Sequence, residues 1–105
     1  MQARYAIALE MSYSVLDLDR QGETGTGLTV DISSSALRFR AARPLAVGVR
    51  VEVAIDWPPR LHGTIPLQLV LTGTVNRTSG AEAVVLIEKH TFRTRRTGAT
   101  LVPIR

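Results

Sequence analysis

With 105 residues, 45% of them hydrophobic and 21% charged, the chain is long enough to close one core and too apolar to stay disordered, so a single folded domain is expected. The absence of cysteine excludes a disulfide framework, a thiolate metal site and a cysteine nucleophile, and no run approaches the roughly eighteen apolar residues of a membrane-spanning helix. The formal charge is +4, and twelve of the thirteen basic residues are arginine, the side chain suited to forked contacts with phosphate or guanine; a soluble, cytosolic protein with a mild preference for anionic partners is expected.

Ile7, Leu9, Met11, Tyr13 and Val15 alternate with Ala8, Glu10, Ser12 and Ser14, which predicts a first strand. Residues 17–27 carry Gly22, Gly25 and Gly27 among polar neighbours and read as a loop. Leu28, Val30 and Ile32 then alternate into a polar turn, Asp31-Ile32-Ser33-Ser34-Ser35-Ala36, after which Leu37 and Phe39 resume the alternation. This predicts a second and a third strand joined by a turn rich in hydroxyls. Asp31 and Ser33 have two roles open to them: satisfying backbone groups of the turn, as short polar side chains do, or holding a ligand.

Arg43-Pro44-Leu45-Ala46-Val47-Gly48 makes a connection to a fourth strand, in which Val49, Val51, Val53, Ile55 and Trp57 alternate. Pro58 and Pro59 cannot donate to a ladder and are expected to stop it, with a loop running through Arg60, His62 and Gly63 to Pro66. Leu67, Leu69, Leu71, Gly73 and Val75 predict a fifth strand, in which Gly73 marks a bend or bulge. Thr78-Ser79-Gly80 turns the chain, residues 83–89 predict a buried sixth strand, and the rest, from His90, reads as a basic irregular tail. Six short strands without helical periodicity predict an all-β fold, a small six-stranded antiparallel barrel with little or no helix, over residues 1–93, followed by a tail at 94–105.

His62 and His90 have no carboxylate or second histidine at metal-ligand spacing and read as solvated; Asp17 and Asp19 read as turn residues. Arg93, Arg95, Arg96 and Arg105 give the tail a positive charge, which makes a small OB-like nucleic-acid-binding barrel the competing class. Such a binder stacks bases on exposed aromatics, whereas Tyr13, Phe39 and Trp57 fall on the apolar phases of strands, so nucleic acid is disfavoured as a partner. Arg38 and Arg40 alternate with Leu37 and Phe39 and should point outward beside the polar turn.

Asp31-x-Ser33-x-x-Ala36 followed by Leu37-Arg38-Phe39 resembles the Asp/Asn-x-Ser-x-x-Gly motif of PilZ domains. The likeness extends to Arg43-Pro44-Leu45 with Gly48-Val49-Arg50-Val51, to Gly73-Thr74-Val75-Asn76-Arg77, and to the closing strand at 87–92, so that it covers about residues 4–93. The resemblance implies a six-stranded barrel that binds the second messenger cyclic di-GMP and passes the signal to an unidentified partner protein, without catalysis and without a cofactor. It implies a ligand site at Arg4, Asp31, Ser33 and Ala36, to which outward-facing Arg38 adds a cation.

The family's other motif is Arg-x-x-x-Arg ahead of the first strand. Arg4 matches its second arginine, whose companion would precede Met1, or its first, whose companion position is then Ala8; either register leaves one arginine. Ala36 stands where the family has glycine. The resemblance therefore implies a partly eroded site, with two outcomes open: weak binding of cyclic di-GMP, or a degenerate adaptor that works through protein contacts alone.

Overall fold

The computed structural model describes residues 4–20, 22–61 and 65–94. His62, Arg95, Arg96 and Arg105 lie outside them. The strands are β1 (Tyr5–Ala6), β2 (Glu10–Val15), β3 (Thr24–Ile32), β4 (Ala36–Ala41), β5 (Arg50–Leu61), β6 (Ile65–Ser79) and β7 (Glu82–Thr94), and the only helical turn among the described residues is a 3-10 turn at Leu18–Arg20. All pairings are antiparallel. They run β3-β2-β5-β6-β7-β4, and β4 pairs back onto β3, so six strands close a barrel, with the two residues of β1 paired to the end of β3 on the edge that β2 also uses. Closure removes the sheet edges that an open six-stranded sheet would expose.

The barrel interior is filled by the apolar phase of each strand: Met11, Tyr13 and Val15 from β2, Leu37 and Phe39 from β4, Val51, Val53 and Ile55 from β5, Leu69, Leu71 and Val75 from β6, and Ala83 and Val85 from β7. Tyr13 and Phe39 meet at 6.2 Å between ring centroids, and Trp57 meets Phe92 edge-on at 5.6 Å across the open end of the β5–β6–β7 sheet. Two of the three aromatics expected in the core are thus fully inside, and Trp57 is packed against it.

Several expectations from the sequence are corrected, each for a local reason. The first strand is not continuous: it divides into β1 and β2 around residues 7–9. The cause is Thr29, which falls on the inward phase of β3. Its hydroxyl accepts from Leu9 N–H at 2.8 Å and donates to the Ile7 carbonyl, alongside backbone bonds from Ile7 N–H to the Val30 carbonyl at 3.1 Å and from Thr29 N–H to the Leu9 carbonyl at 2.9 Å.

The glycine-rich segment is not all loop, because β3 begins at Thr24. Gly25 lies opposite Tyr13, and a Cβ there would come within 2.4 Å of the phenol oxygen; the glycine makes room for the ring. Leu28, Val30 and Ile32 do not share a face either. A register shift at Val30 separates the pairs Thr29↔Phe39 and Asp31↔Arg38, leaving Leu28 half exposed outside the barrel while Ile32 packs inward opposite Leu37. A single bulged residue reverses the phase of everything after it.

Pro58 and Pro59 do not end β5, which continues to Leu61; the ladder skips a register there between Trp57 and Leu61, which removes the need for the N–H groups the prolines lack. Nor is the chain irregular from His90: β7 runs to Thr94, with residues 90–94 paired to residues 67–71 of β6. Those residues are exposed, and backbone pairing with an already ordered strand needs no buried face. The bulge expected at Gly73 is present, as a register shift between Thr72 and Gly73 that leaves Glu88 as the extra residue of β7. Arg50 Nη2 donates to Glu88 at 2.7 Å and the Thr74 hydroxyl at 3.1 Å, which together hold the Glu88 carboxyl below the usual range for glutamate.

Two buried threonines differ in a testable way. Thr29→Val removes the only bridge between Leu9 N–H and the Ile7 carbonyl and is expected to cost about 1–3 kcal/mol, the penalty of stranding buried polar groups. Thr72 is equally buried, but its hydroxyl has no hydrogen-bond partner among the described residues. Thr72→Val is therefore expected to leave stability unchanged or raise it by about 1 kcal/mol. Chemical denaturation of the two variants against wild type measures the contrast, and equal losses in both would refute it.

Candidate functional site

The β3–β4 hairpin folds around its hydroxyls. Ser33 N–H donates to the Ala36 carbonyl at 2.9 Å, and the Ser33 Oγ accepts from the backbone N–H groups of Ser35 and Ala36 at 3.3 and 3.2 Å. Ser35 in turn accepts from Ile87 N–H at 2.8 Å, tying the turn to β7. Ser33 thus fulfils the turn-forming role directly. Ala36 is already part of β4 and pairs with Leu86, so its backbone is extended and its methyl meets none of the strain of a left-handed position.

Strand pairing brings Asp31 opposite Arg38 on the outer face of the barrel. Arg38 donates from Nε at 3.1 Å and from Nη2 at 2.5 Å to the same carboxylate oxygen, Oδ2. Arg4, just ahead of β1, approaches the other oxygen, Oδ1, at 3.7 Å with its side chain half exposed. Asp31 is buried beneath these two cations, and the hydrogen bond and charge of Asp31 raise the Arg38 pKa above its already high ordinary value. Arg38 therefore keeps its charge at every pH at which the domain folds.

The arrangement spreads to β7. Glu82 lies 3.9 Å from Arg38 and 3.3 Å from Arg40, closing a chain of alternating charge from Arg4 through Asp31, Arg38 and Glu82 to Arg40. Of the residues singled out from the sequence, the structure joins Arg4, Asp31 and Arg38 by ion pairs; Ser33 and Ala36 are engaged with one another in the adjoining turn. The Asp31–Arg38 pair had a signal in the sequence: the two residues stand at equal distance on either side of the Ser34-Ser35 centre, where opposite charges face each other across a hairpin. Glu82 had none, because nothing in its own neighbourhood tells which strand β7 will join.

A groove of about 740 Å³ lies beside this cluster on the outer faces of β2, β3 and β5, with Glu10, Leu28, Arg40, Ala54, Asp56 and Gln68 in its wall. Neither Asp31, Ser33 nor Arg38 lines it. A second hollow of about 260 Å³ does reach the cluster, bounded by Arg38, Arg77, Thr78, Ser79, Glu82 and Val84. No helix among the described residues is long and apolar enough to cross a membrane, and those residues hold no group of three or more histidine, aspartate or glutamate side chains placed to bind a metal.

No family model matches the chain, and no curated protein matches it in sequence. In structure it is similar to the crystal structure of the PilZ domain of CeSA from a cellulose-synthesizing bacterium, with a TM-score of 0.60 and 16% sequence identity over 83% of this chain and 81% of that one. The chain has the fold of a PilZ domain.

Proposed function

We propose that this domain is a regulatory binding module for cyclic di-GMP, acting in the cytoplasm through a partner protein and not by catalysis. The observation that carries the reading is the convergence of Arg4 and Arg38 on Asp31 beside the serine turn, on the outside of a PilZ-fold barrel. Cyclic di-GMP presents two phosphates and the edges of two guanines. Guanidinium forks fit phosphate oxygens and the guanine O6 and N7 acceptors, and a carboxylate accepts from guanine N–H groups.

Each residue then has a distinct part. Arg4, held loosely and half exposed, swings from Asp31 onto a phosphate. Arg38, bound through two donors, keeps the Asp31 carboxylate fixed for a guanine edge. Ser33 sets the turn so that its neighbouring backbone lies flat against the ligand. A charge-assisted bond from an arginine to the ligand contributes about 1.5–3 kcal/mol, so removing Arg4 weakens binding roughly tenfold to a hundredfold.

Calorimetric titration tests this. Saturable binding of cyclic di-GMP is expected, weakened tenfold or more in Arg4→Ala and lost in Asp31→Ala. A ligand present at a hundred times its Kd adds about 2.7 kcal/mol of stability, so a parallel melting experiment should rise by on the order of ten degrees. No heat and no change in melting temperature at millimolar ligand would leave the degenerate adaptor as the surviving reading. Salt-dependent binding of a short single-stranded RNA instead would favour the nucleic-acid class.

A further inference from the structure

The arginine nearest in sequence to the serine turn, Arg38, is committed to Asp31 and Glu82. Strand register locates another. Asp31 pairs with Arg38, Arg38 with Val84, and Val84 with Arg77, so the four residues form one transverse row across β3, β4, β7 and β6. With neighbouring strands about 4.8 Å apart, Arg38 and Arg77 stand about 10 Å apart at Cα, within reach of a shared anion for two side chains this long.

Arg77 occupies that row because of a bulge. The alternation of Leu69, Leu71, Gly73 and Val75 would continue inward to residue 77. The register shift between Val75 and Arg77 leaves Asn76 as the extra residue and turns Arg77 out, opposite Val84, where it is exposed. Bulges re-aim side chains in this way at the rims of barrels. Arg77 makes no ion pair or hydrogen bond among the described residues, in contrast to Arg38, Arg40 and Arg50.

The hollow of about 260 Å³ between the two arginines is also bounded by Thr78 and Ser79, of which Ser79, paired with Glu82, shares the outward phase of Arg77, and by Val84, buried on this outer face. The carboxylate in its wall, Glu82, is neutralised by Arg38 and Arg40. Arg4, Arg38, Arg40 and Arg77 set four guanidinium groups against the two carboxylates of Asp31 and Glu82 along this face, so the field there is positive.

We propose that the hollow bounded by Arg38, Arg77, Thr78 and Ser79 is a phosphate subsite, in which Arg77 supplies from β6 a phosphate-binding cation on the opposite side of Asp31 from Arg4. The ligand class rests on the reading of the site given above. A phosphodiester seated there has Arg77 and the Ser79 hydroxyl as donors, while Arg4 takes the ligand's other phosphate on the far side of Asp31. The two cations then flank the Asp31–Arg38 pair from opposite sides.

The test compares cyclic di-GMP titrations of wild type, Arg77→Ala, Arg77→Lys, Glu82→Gln and Arg4→Ala. Expected are a roughly tenfold loss in Arg77→Ala, a smaller one in Arg77→Lys, which keeps the charge and not the fork, and a severalfold gain in Glu82→Gln, all with an unliganded melting temperature for the Arg77 variants equal to wild type. Full affinity in Arg77→Ala alongside a loss in Arg4→Ala would overturn the subsite and leave the receptor reading standing. Should wild type bind no cyclic di-GMP, the receptor reading fails, and titration with inorganic pyrophosphate, followed through the backbone amide NMR signals, decides the subsite alone: saturable shifts centred on residues 77–79 and absent in Arg77→Ala support it, and flat signals refute it.

Discussion

Phe39→Ala is expected to cost about 3–5 kcal/mol and to lower the melting temperature by on the order of 20 °C. Phe39 is fully buried, the largest such side chain in the barrel, and lies against Tyr13 at 6.2 Å. Like its neighbours on β4 it pairs on both sides, with Thr29 on β3 and Ala83 on β7. Its truncation leaves a cavity whose walls belong to a closed sheet, and a closed sheet cannot collapse inward without breaking ladder bonds. A domain of this size has about 5–15 kcal/mol to lose, so the variant sits near the threshold of folding. Phe39→Leu, which keeps most of the buried area, should retain most of the stability. Urea denaturation with an unchanged m-value measures both, and a loss under 1 kcal/mol in Phe39→Ala would show that the barrel core is looser than its burial indicates.

The same residue carries consequence for the site. Arg38 precedes Phe39 on β4, and the ring's fixed inward position is what turns the guanidinium outward onto Asp31. At temperatures where Phe39→Ala is still folded, fraying of the β3–β4 hairpin should therefore appear as weakened ligand binding before global unfolding.

Where the sequence was legible, one physical rule was acting alone. Met11, Tyr13 and Val15, then Val51, Val53 and Ile55, alternate because one face meets the core and the other meets water, and the structure places them so. The reading failed where a second effect competed. Thr29 did not stand out in the sequence because hydrophobicity says nothing of a hydroxyl that bridges two backbone groups of its neighbour. Gly25 looked like loop because glycine marks turns, although here it marks the space beneath Tyr13. Leu28 was placed on the same face as Ile32, and the outward turn of Arg77 was not foreseen, because a bulge is a property of two strands together, and neither strand alone shows which residue the partner will skip.

For the site this divides the residues cleanly. Asp31, Ser33 and Ala36 are contiguous in sequence and carry a motif; Arg38 is their reflection across a hairpin. Glu82 and Arg77 come from strands more than forty residues further on, and only closure of the barrel through the β4–β7 and β6–β7 pairings brings them to the same face.

Gly73→Val is the second large effect. An ideal Cβ at Gly73 falls 2.1 Å from the Leu86 carbonyl oxygen and 2.7 Å from a methyl of Val85, and the first of these is backbone, which cannot rotate aside. The alanine variant must therefore push β6 and β7 apart where both are buried; overpacking of this kind costs about 1–3 kcal/mol, and the bulkier valine is expected to reach about 3 kcal/mol or more. The strain falls at the register shift between Thr72 and Gly73, four residues ahead of Arg77 and next to Thr74, whose hydroxyl holds Glu88. Gly73→Ala is thus expected to lose stability and, through displacement of β6 against β7, to weaken any ligand that spans Arg38 and Arg77. Arg77→Ala by contrast should weaken the ligand and leave the melting temperature alone. That opposition separates the scaffold from the site: thermal denaturation and titration of the two alanine variants should give a fall in both quantities for Gly73 and in one for Arg77, and a Gly73→Ala protein that melts like wild type would mean that the close approach of Gly73 to the Leu86 carbonyl is not what holds β6 in register.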